Sequence, residues 1–527
     1  MLVIILGIIL GALIYYRVHK PTTFWKERGV VHEPAWPIIG NTGAFLMKKK
    51  HFSQITTDLY NKFPNHRYVG YLQFGTPVLL IRDLDLIKQI GVKDFDNFHD
   101  HLTFATKQPD PLTSKSLLSL VGDEWKQMRA TLSPAFTSSK MKNMYQLMTE
   151  CAENFTHHFK NKEQVAVEMK DLFSRFTNDV IATTAFGIQV NSVQDPKHEF
   201  YEMAKQITKF GGLQSLKVFL FQMVPRVAKM LNIKLMRQDA TSFFRSIIMT
   251  NIDKRVKEKI FRPDMIHLLM EAQKGKLKHD SDVVGVKEGF ATVEESHIGK
   301  NTQRMELTDD HIVAQALLFF FAGFETVSNV SSFMAHELAV NPDVQKKLQE
   351  EIDDARQKHG GKVPYEALLS MKYLDQVVSE TLRLWPPAFQ TDRCCNRDYT
   401  IQAKNPNEDT LIVEKYMMTV IPILAIHRDP QYYPEPERFD PERFNDEYKP
   451  KIVPGTYMPF GIGPRNCIGS RFALLEVKTL FFHLLSKFDL VPTEKTEIPL
   501  RLSPKKATMA PETGFHLGLK PRKFVQL

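Results

Sequence analysis

The residue best suited to chemistry in this chain is Cys467, which follows a glycine-rich turn. Residues 460–469 read FGIGPRNCIG, and the two glycines and the proline before the cysteine predict a tight turn. A helical pattern begins at about Ile468, so we expect the thiol near the positive end of a helix dipole, with Arg465 close by. Both effects lower the pKa of a cysteine and favour the thiolate, the form that binds a metal or attacks an electrophile.

Two kinds of chemistry fit a lone thiolate in such a turn. A nucleophilic cysteine needs a base, usually histidine, and no neighbouring motif supplies one, although a histidine distant in sequence stays open. An axial bond to haem iron needs one protein ligand, because the porphyrin supplies four others. Glycines also let a flat macrocycle approach the backbone. A buried, unreactive cysteine in a turn is the third interpretation.

The cysteine segment resembles the signature of the cytochrome P-450 superfamily, F-x-x-G-x-x-x-C-x-G. The signature falls on Phe460, Gly463, Cys467 and Gly469. This resemblance implies haem b as the cofactor and Cys467 as the axial ligand of its iron. It further implies that Phe460 shields the sulfur and that Arg465 pairs with a haem propionate.

Two further motifs of the family occur in its order along the chain. Residues 125–129 read WKQMR and resemble W-x-x-x-R, which implies that Trp125 and Arg129 contact the haem propionates. Glu380 and Arg383 share one face of an apolar helical pattern because they are three residues apart. They resemble the family's Glu-Arg-Arg network, completed by Arg443 of a PERF segment, which holds the cysteine loop in place. The alternative is an exposed ion pair worth little.

Residues 322–326, AGFET, interrupt a long apolar helical pattern. A glycine inside a helix costs about 1 kcal/mol relative to alanine, and an acid and a hydroxyl are poor choices for a core. The segment resembles the family pattern [AG]-G-x-[DE]-T-[TS], with Val327 in place of the last residue. We expect a local distortion that opens a groove over the iron, where Glu325 and Thr326 position water and relay protons. A packing notch between two helices is the alternative.

The elements that must position these residues are mostly helical, because apolar residues recur at three- and four-residue spacing. The pattern predicts a mainly α fold with a minor β portion, in a single large haem domain. The long helix predicted at Asp309–Asn341 is apolar nearly all round and must run through the middle of the protein. The predicted elements are strands at Tyr68–Phe74 and Pro77–Arg82, helices over about 115–270, a solvated loop of low order at Gln273–Glu306, the long helix Asp309–Asn341, strand-like segments after Pro386, and a last helix at about Ile468–Ser486.

The N-terminus reads as a membrane anchor over residues 1–20. Residues 1–16 carry no charge, and Arg17 and Lys20 follow. A cleaved signal is disfavoured because no positive charge precedes the apolar run and no small-x-small cleavage site follows it. The positive-inside rule predicts a cytosolic body on the endoplasmic reticulum membrane. A Pro-rich linker, or an ordinary entry loop, then covers residues 21–45, and the haem domain covers residues 46–527.

Composition narrows the function classes. The net charge of +9 is spread along the chain without a long basic block, which argues against nucleic-acid binding and suits a membrane surface or an acidic partner. Only four cysteines occur, Cys151, Cys394, Cys395 and Cys467, and none forms a C-x-x-C pair. A disulfide framework and a structural zinc site are therefore not expected.

The resemblance implies a monooxygenase that inserts one atom of O2 into lipophilic small molecules. No glycine-rich dinucleotide fingerprint is visible, so electrons must come from another protein. The resemblance implies an NADPH-dependent flavoprotein reductase in the same membrane, with cytochrome b5 as a further candidate partner. Docking is expected on the basic face near the cysteine loop, with Arg129 and Lys142 as candidates. The combination of motifs, including residues 262–265, RPDM, is similar to insect detoxification families.

Two functions other than a monooxygenase remain open. One is a haem isomerase or dehydratase acting on peroxides, which needs no proton relay from Thr326, and the other is a haem carrier or sensor. Dependence of turnover on NADPH and reductase distinguishes a monooxygenase from the isomerase or dehydratase.

The substrate pocket is expected on the far side of the haem from the sulfur. The residues predicted to line it are Phe104, Leu117, Phe210, Phe319, Ala322, Phe389 and Phe515.

Overall fold

In the computed structural model, the described residues form a large helical body and three small sheets. The mainly α architecture with a minor β portion is as predicted. The described residues are 5, 15–16, 19–101, 111–160, 162–208, 217, 230–231, 233–234, 237–277, 289–298, 302–406 and 408–522. Most of the predicted anchor, residues 1–20, lies outside them.

The helices are short near the N-terminus and long in the body. They are α1 Gly43–Leu46, α2 Phe52–Lys62, α3 Leu84–Lys88, α4 Pro111–Ser114, α5 Gly122–Leu132, α6 Ser138–His157, α7 Met169–Ala185, α8 Glu199–Thr208, α9 Gln238–Glu258, α10 Met265–Gln273, α11 Asp309–Val340, α12 Pro342–Lys358, α13 Tyr365–Leu369, α14 Lys372–Leu384, α15 Ile423–His427 and α16 Ser470–Leu485.

The strands form sheets of four, three and two members. The largest has the order β1-β2-β7-β4, and its β2 pairs in parallel with β7, which brings the N-terminal part of the chain beside a segment that comes hundreds of residues later. The strands are β1 Tyr68–Gln73, β2 Thr76–Ile81, β3 Val165–Glu168, β4 Thr391–Cys394, β5 Tyr399–Ile401, β6 Leu411–Val413, β7 Met418–Ile421, β8 Phe488–Pro492 and β9 His516–Pro521.

Helix α11 is the central element. The Thr308 side chain accepts a hydrogen bond from the backbone N–H of His311 and caps its first turn, and Pro342 starts the next helix. The helix is long and apolar enough to cross a membrane, but more than half of its apolar window is buried in the protein. It therefore forms the core, as its all-round apolar pattern predicts.

The described part of the predicted solvated loop Gln273–Glu306 is mostly irregular, as predicted, but it is not solvated throughout. Leu277 and Ala291 are buried, and Ile298 and Met305 pack against the helical core. The polar composition of the segment hid these apolar anchors, because they are isolated and follow no regular period.

Candidate functional site

Glycine decides the shape of the cysteine loop. Gly463 has φ +71°, and a Cβ atom there would lie 1.8 Å from the carbonyl oxygen of Gly91. Any other residue would push the loop away from the segment that it packs against. The turn closes where the backbone N–H of Cys467 donates to the carbonyl oxygen of Phe460, at 2.8 Å.

The Cys467 side chain keeps accessible surface although protein atoms surround it. Burial raises the pKa of its thiol, and the Gly469 N–H and the charge of Arg129 oppose this shift. Helix α16 begins at Ser470, three residues after the cysteine. Burial therefore outweighs the lowering of the thiol pKa that was expected from the helix dipole. A bond to a metal ion restores the thiolate, because a coordinating thiol is deprotonated outright.

An aromatic pair joins the cysteine loop to the middle of helix α11. A Cβ on Gly469 would lie 3.8 Å from the Phe136 ring, and the centroids of the Phe136 and Phe319 rings are 5.2 Å apart. Ala322 and Thr326, about one and two turns beyond Phe319, are exposed on a helix whose residues are otherwise mostly buried. Two accessible side chains at i and i+4 share one face of the helix.

The expected distortion of helix α11 is not present, because the helix is continuous through residues 322–326. Gly323 is a packing notch: a Cβ there would lie 2.8 Å from the Ile181 Cδ1 atom of helix α7. The alternative interpretation therefore applies to this glycine. The Thr326 hydroxyl donates to the Ala322 carbonyl oxygen within the helix.

Glu325 points to a different partner from Thr326. Its Oε2 lies 3.2 Å from Nζ of Lys170, which also donates to the Ser328 hydroxyl at 2.7 Å. Burial lowers the pKa of Lys170, while the charge of Glu325 opposes that shift. The acid next to Thr326 thus belongs to an ion pair with a buried ammonium group that releases a proton more readily than an exposed lysine.

Two buried arginines near the cysteine loop lack a close carboxylate among the described residues. Arg465 donates to the carbonyl oxygens of His99 and Leu120, and its nearest carboxylate is Asp100 at 3.8 Å. Arg393, which the sequence analysis missed, is fully buried and donates to the Ile462 carbonyl oxygen at 2.8 Å. Its Nε has no hydrogen-bond partner in the described part of the chain.

Burial and mutual repulsion make these two cations costly to keep charged. Burial lowers the pKa of Arg393 to about 10, and burial together with the charge of Arg393 lowers that of Arg465 to about 9. An anionic group with two carboxylates would stabilise the charged forms. The donor set therefore fits the propionates of a haem whose iron is bound by Cys467.

The W-x-x-x-R residues occupy the same region. The Trp125 ring is buried, and the Arg465 guanidinium carbon lies 4.1 Å from its centroid. Arg129 donates to the backbone and side-chain oxygens of Asn466, at 2.7 and 2.8 Å, and pairs with Glu295 at 2.8 Å. The suggestion that Arg129 meets a docking partner is wrong, because only 3% of its surface is exposed.

Glu380, Arg383 and Arg443 come together as the sequence predicts. Arg383 Nε donates to Glu380 Oε2 at 2.7 Å, and both side chains are fully buried, so the exposed-pair alternative does not apply. Arg443 Nε lies 3.5 Å from Glu380 Oε1, while Arg438 of the neighbouring PERF segment is exposed and pairs with Glu435. The second PERF thus supplies the third member of the network.

His427 connects this network to the cysteine loop. It was not predicted from the sequence, because no motif around it indicates a role. Its Nδ1 donates to the Arg383 carbonyl oxygen at 3.1 Å, and its Nε2 accepts from the Met458 N–H at 2.9 Å. Burial and the charge of Arg383 lower the pKa of the ring to about 3. Its neutral form therefore ties helix α14 to the chain just before Phe460.

We expect acid to weaken the fold through His427. Its pKa is 6.5 in the unfolded chain and about 3 in the folded protein, so protonation favours unfolding as pH falls from 6.5 to 3. The loss reaches up to about 5 kcal/mol. Urea unfolding at several pH values should give a flatter pH dependence for His427→Asn than for the wild type. The same substitution at the exposed His157 should leave the pH dependence unchanged, and equal curves for both variants would contradict the assignment.

The predicted pocket residues divide into three groups. Phe319, Ala322 and Phe389 keep accessible surface. Leu117 and Phe515 do not: Phe515 is 1% exposed, and its ring packs edge-on to Phe333 at 4.9 Å, so its place is in the core. The remaining two predictions, Phe104 and Phe210, lie outside the described residues.

Comparison with known proteins places these features in one family. The Cytochrome P450 family model matches residues 31–518. The chain is 45% identical over 516 residues to Cytochrome P450 9e2 of Blattella germanica, covering 95% of this chain and 94% of the relative. It is 41% identical to Probable cytochrome P450 9f2 of Drosophila melanogaster, covering 98% of each. It is 39% identical to Cytochrome P450 6k1 of Blattella germanica, covering 98% and 96%. The chain belongs to the cytochrome P450 family, monooxygenases whose haem iron is bound through a cysteine thiolate.

Proposed function

We propose that this monooxygenase oxygenates lipophilic small molecules at the endoplasmic reticulum membrane, using electrons that an NADPH-dependent flavoprotein reductase delivers. The observation that carries the proposal is the accessible apolar surface next to Thr326 on helix α11. Phe319 and Ala322 keep accessible surface there, and Thr326 adds one hydroxyl. Such a surface binds apolar substrates and orients them with few polar contacts.

Exposed apolar residues support the membrane part of the proposal. Trp36, Ile38 and Met47 are each more than half exposed, and they lie shortly after the predicted anchor. Met230 and Leu231, at the end of a further apolar stretch, are also exposed. Apolar side chains exposed close together in sequence suit contact with a lipid surface.

The roles of the chain's own residues follow from their positions. Haem supplies the oxygen-activating chemistry when bound. We assign to Cys467 the axial bond, and to Arg393 and Arg465 the binding of the propionates. The O–H of Thr326 donates to the Ala322 carbonyl oxygen, and the hydroxyl oxygen keeps lone pairs that accept a hydrogen bond from water. Glu325, the preceding residue, forms with Lys170 an ion pair that holds exchangeable protons.

The proposal is tested by reconstituting the holoprotein with a flavoprotein reductase in lipid vesicles. We expect an oxygenated product from apolar substrates, with turnover that requires NADPH, O2 and the reductase together. Turnover of a lipid peroxide without NADPH would instead favour the isomerase alternative. Equal turnover with and without vesicles would contradict the membrane part.

Replacing Thr326 with alanine is expected to uncouple electron use from oxygenation. Loss of the hydroxyl removes the group that holds water on the accessible face, so product formed per NADPH should fall about tenfold or more. NADPH consumption and product are measured together. Ser332→Ala removes a buried hydroxyl that donates to the Ser328 carbonyl oxygen in the same helix. It should couple like the wild type, and unchanged coupling in the Thr326 variant would contradict its role.

A further inference from the structure

Residues 289–298, between helices α10 and α11, pack on the protein around the cysteine loop. Phe290 anchors the N-terminal end of this segment. Its ring stacks on the Tyr457 ring, with centroids 5.1 Å apart, and contacts the Phe444 ring at 5.3 Å. The Phe290 N–H donates to Asp375 Oδ2 at 2.9 Å. These contacts join the segment to the surroundings of the Glu380–Arg383–Arg443 network.

This packing requires a residue without a side chain immediately before Phe290. A Cβ on Gly289 would lie 1.9 Å from Asp375 Oδ1, the oxygen that Lys478 binds at 2.8 Å. The Lys478 side chain is almost fully buried. A buried ion pair with defined geometry therefore receives this part of the segment, as distinct from a loose contact with the surface.

The C-terminal half of the segment reaches Asn466, the residue that precedes the haem ligand Cys467. Glu295 contacts Nε of Arg129 with both carboxylate oxygens, at 3.1 Å, and Nη2 at 2.8 Å. The same guanidinium donates to the Asn466 carbonyl oxygen and to Asn466 Oδ1. Asn466 Nδ2 in turn donates to the backbone oxygen of Glu294, at 3.3 Å. A closed set of contacts thus connects Glu295 to the backbone that leads into Cys467.

Glu295 and Asn466 accept hydrogen bonds from most of the N–H groups of Arg129, and the second N–H of Nη1 is left for the predicted contact with a haem propionate. Of its five N–H groups, those on Nε and Nη2 and one on Nη1 are directed to Glu295 and Asn466. Its positive charge faces a carboxylate at contact distance, and both side chains are largely buried, where charge interactions are screened less than at the surface. The pair lowers the net positive field that Arg129 would otherwise exert on the sulfur.

We propose that Glu295 is a positioning residue of the haem-thiolate centre: it holds Arg129 against Asn466 and balances its charge next to Cys467. The 289–298 segment thereby acts as a strap that sets both the geometry and the electrostatics on the sulfur side of the haem. Partners that orient the ligand of a metal commonly change metal affinity about 10–100-fold when removed.

The test is the midpoint potential of the haem iron in Glu295→Gln holoprotein. Loss of the Glu295 carboxylate removes one negative charge next to Arg129 and Cys467, which favours the reduced iron, so the potential should shift to a more positive value. Haem should also transfer to an excess of apomyoglobin about tenfold faster. Glu295→Asp keeps the charge but shortens the side chain, so its potential should lie between those of the wild type and Glu295→Gln.

Glu294→Gln is the matched control, because it removes the same charge one residue away and its exposed side chain is outside the contacts above. It should keep the wild-type potential and haem transfer rate. The proposal is overturned if Glu295→Gln has the wild-type potential, or if Glu294→Gln shifts it equally. If Glu295→Gln yields no holoprotein, a wild-type potential in Glu295→Asp would overturn it.

Discussion

Replacing Cys467 with alanine should abolish the sulfur-ligated spectrum of the ferrous carbon-monoxide complex and reduce turnover by about a thousandfold or more. The thiol is the accessible sulfur in the cysteine loop, and the turn from Phe460 holds it in place through one backbone hydrogen bond. Without it, the neighbouring arginines still attract an anionic porphyrin, but the strong electron donation that favours cleavage of the O–O bond is lost. The measurement is the difference spectrum together with product formation in the reconstituted system.

Cys151→Ala is the control for this experiment. Cys151 is partly buried in helix α6, where burial strongly raises the pKa of its thiol and keeps it neutral. The control variant should keep the wild-type spectrum and most of its turnover. If the Cys467 variant kept both, the axial ligand would have to be another residue, and the assignment of the cysteine loop would fail.

Replacing Glu380 with glutamine should destabilise the holoprotein by about 3–5 kcal/mol. The substitution preserves volume but leaves the Arg383 charge buried without its carboxylate. Three further acceptors of Arg383, the carbonyl oxygens of His427, Pro436 and Arg438, depend on the same orientation of the guanidinium. Urea unfolding followed by both protein and haem absorbance measures the loss, and the haem should leave at lower urea in the variant.

The two PERF segments supply an internal control for the network. Arg438→Gln breaks an exposed pair with Glu435, for which a loss below about 1 kcal/mol is expected. Arg443→Gln removes a partly buried contact to Glu380 and should give an intermediate loss. Similar losses at Arg438 and Glu380 would show that burial of the pair does not determine the energetics.

These effects share a mechanical origin. The cysteine loop contains little regular structure, so its shape depends on neighbours from four distant parts of the chain. Arg393 binds the Ile462 carbonyl oxygen, His427 binds the Met458 N–H, and Arg129 binds Asn466. Gly91 leaves no room for a side chain at position 463. A substitution far from the sulfur in sequence can therefore alter haem binding through the loop.

Local motifs predicted the cysteine turn, the central helix and the three residues of the buried network. They did so because each depends on short-range rules: glycine tolerates the turn, apolar residues all round a helix require burial, and a spacing of three places Glu380 and Arg383 together. The solvation predicted for the loop at 273–306 was wrong at anchors such as Phe290, because no local period reports isolated apolar residues.

By itself, the sequence determined the family and the mainly helical architecture and predicted Cys467 as the haem ligand, since all three depend on residue types at fixed spacing. Only the tertiary structure decided which charges meet. Arg393, His427 and Glu295 lie between 40 and 172 residues before Cys467 in sequence, and their importance arises from burial next to its loop. A charge acts over a few ångströms of space in a weakly screening interior, so its role is defined by three-dimensional neighbours, which residue spacing along the chain does not contain.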